Sequence, residues 1–167
     1  MIKNISNLGD AAVYCDFGSE VNKMINSNVI VYFNYLSNLV KEKQVEGITN
    51  LTPSYNKLII SFDLNITSYK KIKNIIENLI IQQDIKKKNK KIKVPVCCEE
   101  EYGLDFKRLV KKLNMDKDEI LRLYFNQEYF CYMTGFIAGM PFLGDLNESI
   151  RCCLLYTSPS PRDGLLS

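Results

Sequence analysis

Histidine is absent from the 167 residues of the sequence. Its absence excludes Ser–His and Cys–His nucleophile pairs, and every His-ligated metal site, from the residues present. The sequence also lacks the G-x-x-x-x-G-K-S/T loop that cradles nucleotide phosphates in many proteins. Nucleotide contacts, if the protein makes them, must therefore come from other parts of the protein or from other chains.

Long apolar runs are missing as well, so we expect no membrane span. The segment Met1–Ser6 has no basic start followed by an apolar core, and so does not resemble a secretory signal. Without an export signal, the six cysteines are expected to be free thiols in a reducing compartment, which places the protein in the cytoplasm.

The net charge is only +3, and the excess of lysine is concentrated in one run. Clustered lysines can neutralise nucleic-acid phosphates, but no aromatic residues interleave this run to stack on bases. In the second half of the run, lysines alternate with apolar residues, as solvent-facing and core-facing residues alternate along a strand. We therefore expect a solvated surface and no nucleic-acid partner. The run consists of Lys86, Lys87, Lys88, Lys90, Lys91 and Lys93.

Thiol and carboxylate side chains offer weak metal or catalytic candidates. Cys97, Cys98 and Cys131 lack the C-x-x-C spacing of metal sites, so no metal is expected. Three aspartates stand at turn or cap positions, where turn-forming and capping roles are favoured over carboxylate chemistry. These are Asp10, Asp63 and Asp105.

Hydrophobic periodicity over residues 1–98 predicts the order strand, helix, strand, strand, helix, strand. The four strands are expected at Ala11–Phe17, Val45–Leu51, around Leu58–Phe62 and at Ile92–Val96. Two helices lie between them, and Thr67 or Ser68 can cap the second. This order is typical of a ferredoxin-like α+β sandwich, with one antiparallel sheet and two helices on one face.

Residues 99–127 are predicted to form a helical connector with two short helices, capped by Asp105 and Asp116. Residues 128–150 begin with a strand at Tyr129–Met133 and then enter a loop rich in glycine. Such a loop allows close approach of the backbone to a ligand or partner. We predict a pocket or subunit interface there, with domain-boundary packing as the alternative. The candidate residues are Gly135, Phe136, Gly139, Pro141 and Phe142.

The tail, residues 151–167, differs in character from the rest. Cys153–Asp163 looks like the translation of a transposase adapter used in sequencing libraries. We therefore exclude this tail from fold and function, as artefactual or disordered, and expect the native sequence to be cut off near Ile150.

Motifs across residues 5–150 resemble the family that contains the B subunit of 5-oxoprolinase, the sporulation kinase A inhibitor and allophanate hydrolase subunit 1, which carries a carboxyltransferase-type domain. The most specific stretch, Gly135–Gly144, is similar to the family's G-F-x-P-G-F-x-Y-L-G. The remaining matches are Leu8-Gly9-Asp10-Ala11-Ala12, Phe17-Gly18, Asn22, Gly47-Ile48, Pro53, Tyr55, Asp63, Val94-Pro95-Val96, Tyr102-Gly103-Leu104-Asp105, Glu128-Tyr129 and Tyr132-Met133.

The resemblance implies a subunit of an ATP-dependent 5-oxoprolinase, which opens 5-oxoproline to glutamate together with the A and C subunits. It also implies a cyclophilin-like β-barrel that begins near the glycine loop and is almost wholly missing here. ATP with magnesium would be bound mainly by that missing part or by the partners, so this stretch alone is expected to be inactive. The family leaves two alternatives open: a regulatory protein that inhibits a sensor histidine kinase, and an allophanate hydrolase or urea carboxylase type of subunit.

Four positions depart from the family pattern. Ala138, Met140 and Phe142 stand where the pattern has proline, phenylalanine and tyrosine. Tyr124 stands where many members carry histidine, and a phenol cannot exchange a proton near neutral pH as imidazole can. An altered site at Tyr124 is therefore a further prediction.

Overall fold

The computed structural model describes residues 1–79, 90–135 and 137–152. These residues fall into two compact units. The first unit comprises Met1–Lys91 and Phe130–Gly144, and the second contains Ile92–Tyr129 with the residues from Asp145 onward. This division differs from the predicted domain boundaries after residues 98, 127 and 150, which stay predictions for the full-length protein.

The first unit is built on a four-stranded antiparallel sheet with the order β1-β2-β4-β3. Alternate residues of β2 and β4 point into one core because successive side chains of a strand face opposite sides. The strands are β1 (Asn4–Asn7), β2 (Ala12–Asp16), β3 (Ile48–Pro53) and β4 (Lys57–Phe62). The buried residues from β2 and β4, with Phe17 after β2, are Val13, Cys15, Phe17, Leu58, Ile60 and Phe62.

Two helices cover that face of the sheet. Helix α1 (Lys23–Lys41) is capped by Asn22, and helix α2 (Tyr69–Glu77) by Ser68. Each cap side chain accepts a hydrogen bond from a first-turn N–H group that has no partner within the helix. Their buried residues, which join the core of the sheet, are Val29 and Leu36 from α1 and Ile72 and Ile76 from α2.

A two-stranded hairpin also belongs to the first unit. It consists of β5 (Phe130–Thr134) and β6 (Pro141–Gly144), which pair in antiparallel fashion. The predicted strand at Tyr129–Met133 thus forms within one residue of its expected bounds. The return strand β6 was not predicted.

The second unit is helical. It contains α3 (Phe106–Leu113), α4 (Lys117–Phe125) and a 3-10 helix at Glu148–Ile150. Ile120 of α4 and Ile150 are both buried.

The two caps predicted in the second unit have different outcomes. The predicted cap of α4 is confirmed, because the Asp116 carboxylate accepts a hydrogen bond from the Glu119 N–H at 2.7 Å. The predicted cap of α3 is wrong: Asp105 makes no side-chain cap hydrogen bond, and its carboxylate instead pairs with Arg108 at 3.2 Å.

The α+β class with an antiparallel sheet is confirmed, but the strand predicted at Ile92–Val96 does not form in the described residues. Ile92 and Val94 are instead 71% and 69% exposed. In a ferredoxin-like order the last strand lies beside the first, which is β2 here. That position is taken by β1, which the sequence reasoning missed because four residues carry too little periodicity. The helical spacing of apolar residues also predicts Ile80 on the buried face of α2. Ile80 lies outside the described residues, as do three of the six lysines of the run, Lys86, Lys87 and Lys88.

None of the helices in the described ranges combines the length and the apolar character needed to cross a bilayer. The cysteines at positions 15, 97, 98, 131 and 152 are free thiols. Burial raises the pKa of the Cys15 thiol to about 12.

An ion pair fixes the end of β2 to the start of β4. The Asp16 carboxylate accepts hydrogen bonds from the Lys57 ammonium and from the Gly18 N–H. Lys57 also donates to the Gly18 carbonyl, and Asn56 donates to the same oxygen at 2.8 Å. The Phe17-Gly18 turn is therefore held to β4 by polar contacts on both sides.

Replacing Asp16 with asparagine should weaken the acid dependence of stability. The hydrogen bond from Lys57, reinforced by the Gly18 N–H, lowers the pKa of Asp16 below its ordinary 3.8. A lowered folded-state pKa contributes stability that is complete above the unfolded-state pKa and is lost as pH falls through the folded-state pKa. Urea unfolding from about pH 6 down to about pH 2 should show a smaller loss for Asp16→Asn than for the parent chain.

The matched control is Asp10→Asn, which removes an exposed carboxylate from a turn. Equal acid dependence of the unfolding free energy in Asp16→Asn and the parent would contradict this role of the ion pair.

Candidate functional site

The candidate loop of the sequence analysis is the connection of the β5–β6 hairpin. The ladder pairs Cys131 with Leu143 and Met133 with Phe142, so that Tyr132 is left out as a bulge. The two faces of the hairpin differ. Tyr132 is buried, whereas Leu143 is 51% exposed and Cys131 is also exposed.

Aromatic rings pack the buried face of the hairpin against the turn between β3 and β4. The ring of Tyr55 lies 5.8 Å from that of Tyr132 and 6.1 Å, edge to face, from that of Phe142. Phe130 packs edge to face on Tyr132 at 4.8 Å. The ammonium of Lys23, at the start of α1, lies 5.9 Å from the centre of the Phe130 ring. These are favourable geometries for aromatic pairs and for a cation over a ring.

A buried amide joins the same elements. Asn26 is 1% exposed, and its Nδ2 lies 3.1 Å from the carbonyl oxygen of Ser54 and 2.9 Å from that of Tyr55. The same nitrogen donates to the carbonyl of Tyr132 at 2.9 Å. Only the nitrogen of the amide can face three carbonyl oxygens, since the amide oxygen would repel them.

A tight turn closes the loop. The Met140 N–H donates to the Ile137 carbonyl at 3.0 Å, and the Gly135 N–H donates to the Met140 carbonyl at 3.1 Å. Gly139 has φ of +81°, while Ala138 is not among the residues with positive φ. This combination defines a type II turn, in which glycine is favoured third and proline second. Ala138 therefore occupies the position where the family pattern has proline, and Gly139 alone maintains the turn.

The structure brings together four of the five predicted loop residues. Gly135, Gly139, Pro141 and Phe142 all lie on the hairpin of the first unit. Phe136 lies outside the described residues. Phe142 packs on Tyr55, which fits the packing alternative as well as a site, so the functional role of the loop stays a prediction.

Tyr124, the other predicted site residue, lies on α4 in the second unit. Its ring is 5.2 Å from Phe125 and 5.3 Å from Tyr129. Its backbone carbonyl accepts a hydrogen bond from the Tyr129 hydroxyl at 2.7 Å. Burial raises the pKa of Tyr129 above its ordinary value, in keeping with a protonated hydroxyl that donates this bond.

Sequence reasoning missed Asn26, although a signal for it exists. Asn26 lies three residues before Val29 and ten before Leu36, on the stripe of α1 that faces the core. A polar residue on such a stripe must find a hydrogen-bond partner, because burying it without one is costly. Within the described ranges, no group of three or more His, Cys, Asp or Glu side chains could hold a metal ion.

Comparison with known proteins establishes the family. The model of the carboxyltransferase domain, subdomain C and D, matches residues 3–162. The chain therefore belongs to this family, and the relationship inferred from the motifs is confirmed. The matched range extends into the tail that we ascribed to a sequencing adapter, and residues 153–167 lie outside the described residues. The adapter origin of the tail stays a prediction.

A similar sequence is the B subunit of 5-oxoprolinase from Bacillus subtilis (strain 168), which is 28% identical over 158 residues. The alignment covers 87% of this chain and 64% of that protein. The chain thus spans somewhat less than two thirds of the length of this relative.

Solved structures support the fold. TTHA0988 is 20% identical and superposes with a TM-score of 0.71 over 84% of this chain and 27% of that chain. The N-terminal domain of the histidine kinase inhibitor KipI from Bacillus subtilis is 25% identical and matches 44% of this chain and 79% of that domain. Its TM-score of 0.34 is too low for an inference about the fold.

Substitutions in the loop turn should change stability in opposite directions. Gly139→Ala forces an alanine into a positive φ and should cost about 1–2 kcal/mol, with no contribution from a clash because a Cβ there meets nothing within 4 Å. Ala138→Pro should stabilise by about 0.4–1 kcal/mol, since proline restricts the unfolded chain and suits the second turn position.

Urea unfolding followed by circular dichroism measures both effects. Gly9→Ala provides the control for Gly139→Ala, because Gly9 also has a positive φ and open space where an added Cβ would lie, but it belongs to the sheet region. Destabilisation by Ala138→Pro would show that the loop does not form the type II turn.

Proposed function

We propose that the protein containing this chain is a subunit of an ATP-dependent 5-oxoprolinase, which opens 5-oxoproline to glutamate together with the A and C subunits. The observation that carries this proposal is the 28% identity to the B subunit of the Bacillus subtilis 5-oxoprolinase, spread over 158 residues. Because the chain spans 64% of that relative, the activity is proposed for the assembled complex and not for these residues alone. On this proposal the protein works in the cytoplasm.

The chemistry accounts for the need for ATP. An unstrained lactam is a poor electrophile, and transfer of the terminal phosphoryl group of ATP to its oxygen, with release of ADP, activates the ring carbon toward water. Attack by water breaks the C–N bond and leaves an acyl phosphate, which a second water hydrolyses to glutamate and phosphate. The described residues supply neither a phosphate-binding loop nor a group of carboxylates for magnesium. We therefore assign nucleotide binding to the partner subunits or to the cyclophilin-like barrel that the family resemblance implies, beginning near the glycine loop.

Within this complex, the hairpin loop is the part of the chain proposed to meet substrate or a partner subunit. Three observations support the assignment. The loop carries the most specific family motif, its Ile137 and Met140 are 63% and 43% exposed, and the hairpin beneath it is packed in place through Tyr55 and Asn26. An exposed apolar loop on a fixed base is suited to a subunit contact.

The test is reconstitution with the candidate A and C subunits from the same genome. We expect glutamate formation and ADP release that both depend on 5-oxoproline and on all three proteins. The corresponding three subunits of the B. subtilis enzyme are the positive control, and omission of each protein in turn is the negative control.

Three results would contradict the proposal. They are the absence of glutamate while the positive control is active, turnover of allophanate in place of 5-oxoproline, and tight binding to a histidine kinase without any turnover.

A further inference from the structure

We propose that Asn26 is a positioning residue, whose buried amide sets the place of the β5–β6 hairpin and hence of the described loop residues 135 and 137–140. Three carbonyl groups from two distant parts of the chain converge on its Nδ2. Ser54 and Tyr55 are 28 and 29 residues away in sequence, and Tyr132 is 106 residues away. An amide group has two N–H bonds, so one hydrogen is shared between two of these acceptors.

The bulge in β5 explains why the Tyr132 carbonyl is available to Asn26. Cys131 and Met133 pair with consecutive residues of β6, so Tyr132 is skipped by the ladder. A bulge bends its strand and turns the backbone groups at that point in a new direction. The carbonyl of Tyr132 is directed to α1 and receives its hydrogen bond from the Asn26 amide at 2.9 Å.

The aromatic contacts cannot replace this amide. Packing of Tyr55 on Tyr132 and Phe142 removes apolar surface from water, but such contacts tolerate sliding and rotation. Hydrogen bonds are directional, and an amide whose two hydrogens serve three carbonyl oxygens leaves few permitted placements of the hairpin. The aromatic rings therefore hold the hairpin, and Asn26 determines its position.

The consequence for activity rests on the proposed function, because it takes the loop as the part that meets substrate or partner. If the loop is displaced, the affinity for that ligand should fall while the rest of the unit stays folded. Removing the donors also takes away the hydrogen bonds from the Asn26 amide to the three carbonyl groups, which favours local opening of the hairpin.

Hydrogen–deuterium exchange on the full chain tests the positioning role directly. Asn26→Leu keeps the number and branching of the side-chain heavy atoms and removes the donors, while Asn26→Ser retains one donor. In Asn26→Leu, the amides of Cys131–Thr134 should lose protection by about tenfold to a hundredfold, with a smaller loss in Asn26→Ser. The amides of Leu58–Ile60 should lose no more protection than they do in the control.

The control is Val29→Ala, which removes buried volume from the same helix. It should lower protection in the sheet and the hairpin alike. Equal loss in sheet and hairpin for Asn26→Leu, or unchanged hairpin protection, would overturn the proposal. Should Asn26→Leu not fold, Asn26→Ser gives the same comparison.

A second readout separates this proposal from the proposed function. In the reconstituted complex, Asn26→Ser should raise the KM for 5-oxoproline or the concentration of partner needed for half-maximal activity, whereas Val29→Ala should change neither. If the parent complex has no activity, the proposed function fails, and the exchange experiment still decides the role of Asn26.

Discussion

A hairpin of two strands is marginally stable in water by itself, so the β5–β6 hairpin depends on what it packs against. In the first unit that support includes the Asn26 amide, the ring of Tyr55 and the ammonium of Lys23. These groups come from elements that are fixed independently, since α1 is capped and packed on the sheet and the β3–β4 turn follows from strand pairing. The position of the hairpin loop therefore depends on the core formed by the sheet and the two helices of the first unit, which lie much earlier in the chain.

The packing of the hairpin on the β3–β4 turn explains why family motifs that are far apart in sequence occur together. Tyr55 belongs to one group of matching residues, and Tyr132 belongs to another that is far away in sequence. The structure places their rings in contact. The separate motifs thus describe the two sides of one packed junction, and the departure at Phe142 retains the ring that lies against Tyr55.

Local patterns in the sequence predicted the elements that are determined locally. Alternation predicted the strand that forms β2, in which Val13 and Cys15 are buried. Capping chemistry predicted Asp116, and left Thr67 and Ser68 as alternatives, of which Ser68 is the cap. Non-local pairing was not predictable in this way. The segment Ile92–Val96 alternates like a strand, yet alternation does not reveal that β1 already occupies the sheet position beside β2.

In the candidate site too, locally determined features could be predicted from the sequence and non-local contacts could not. Glycine at position 139 and the shape of the loop were accessible from the sequence, because a positive φ favours glycine. The hydrogen-bond partners of Asn26 could not be predicted from the sequence, since they are backbone carbonyls, which have no sequence signature of their own. Only the presence of a polar residue on an apolar helical stripe indicated that a buried contact had to exist.

In the chain itself, the β5–β6 hairpin packs on the sheet and helices of the first unit. Nuclear Overhauser contacts between aromatic rings in solution test this packing most directly. The account predicts cross-peaks from the ring of Tyr55 to the rings of Tyr132 and Phe142, together with dispersed amide shifts for Phe130–Thr134. Random-coil shifts for the hairpin, with the sheet folded and the ring contacts absent, would contradict it.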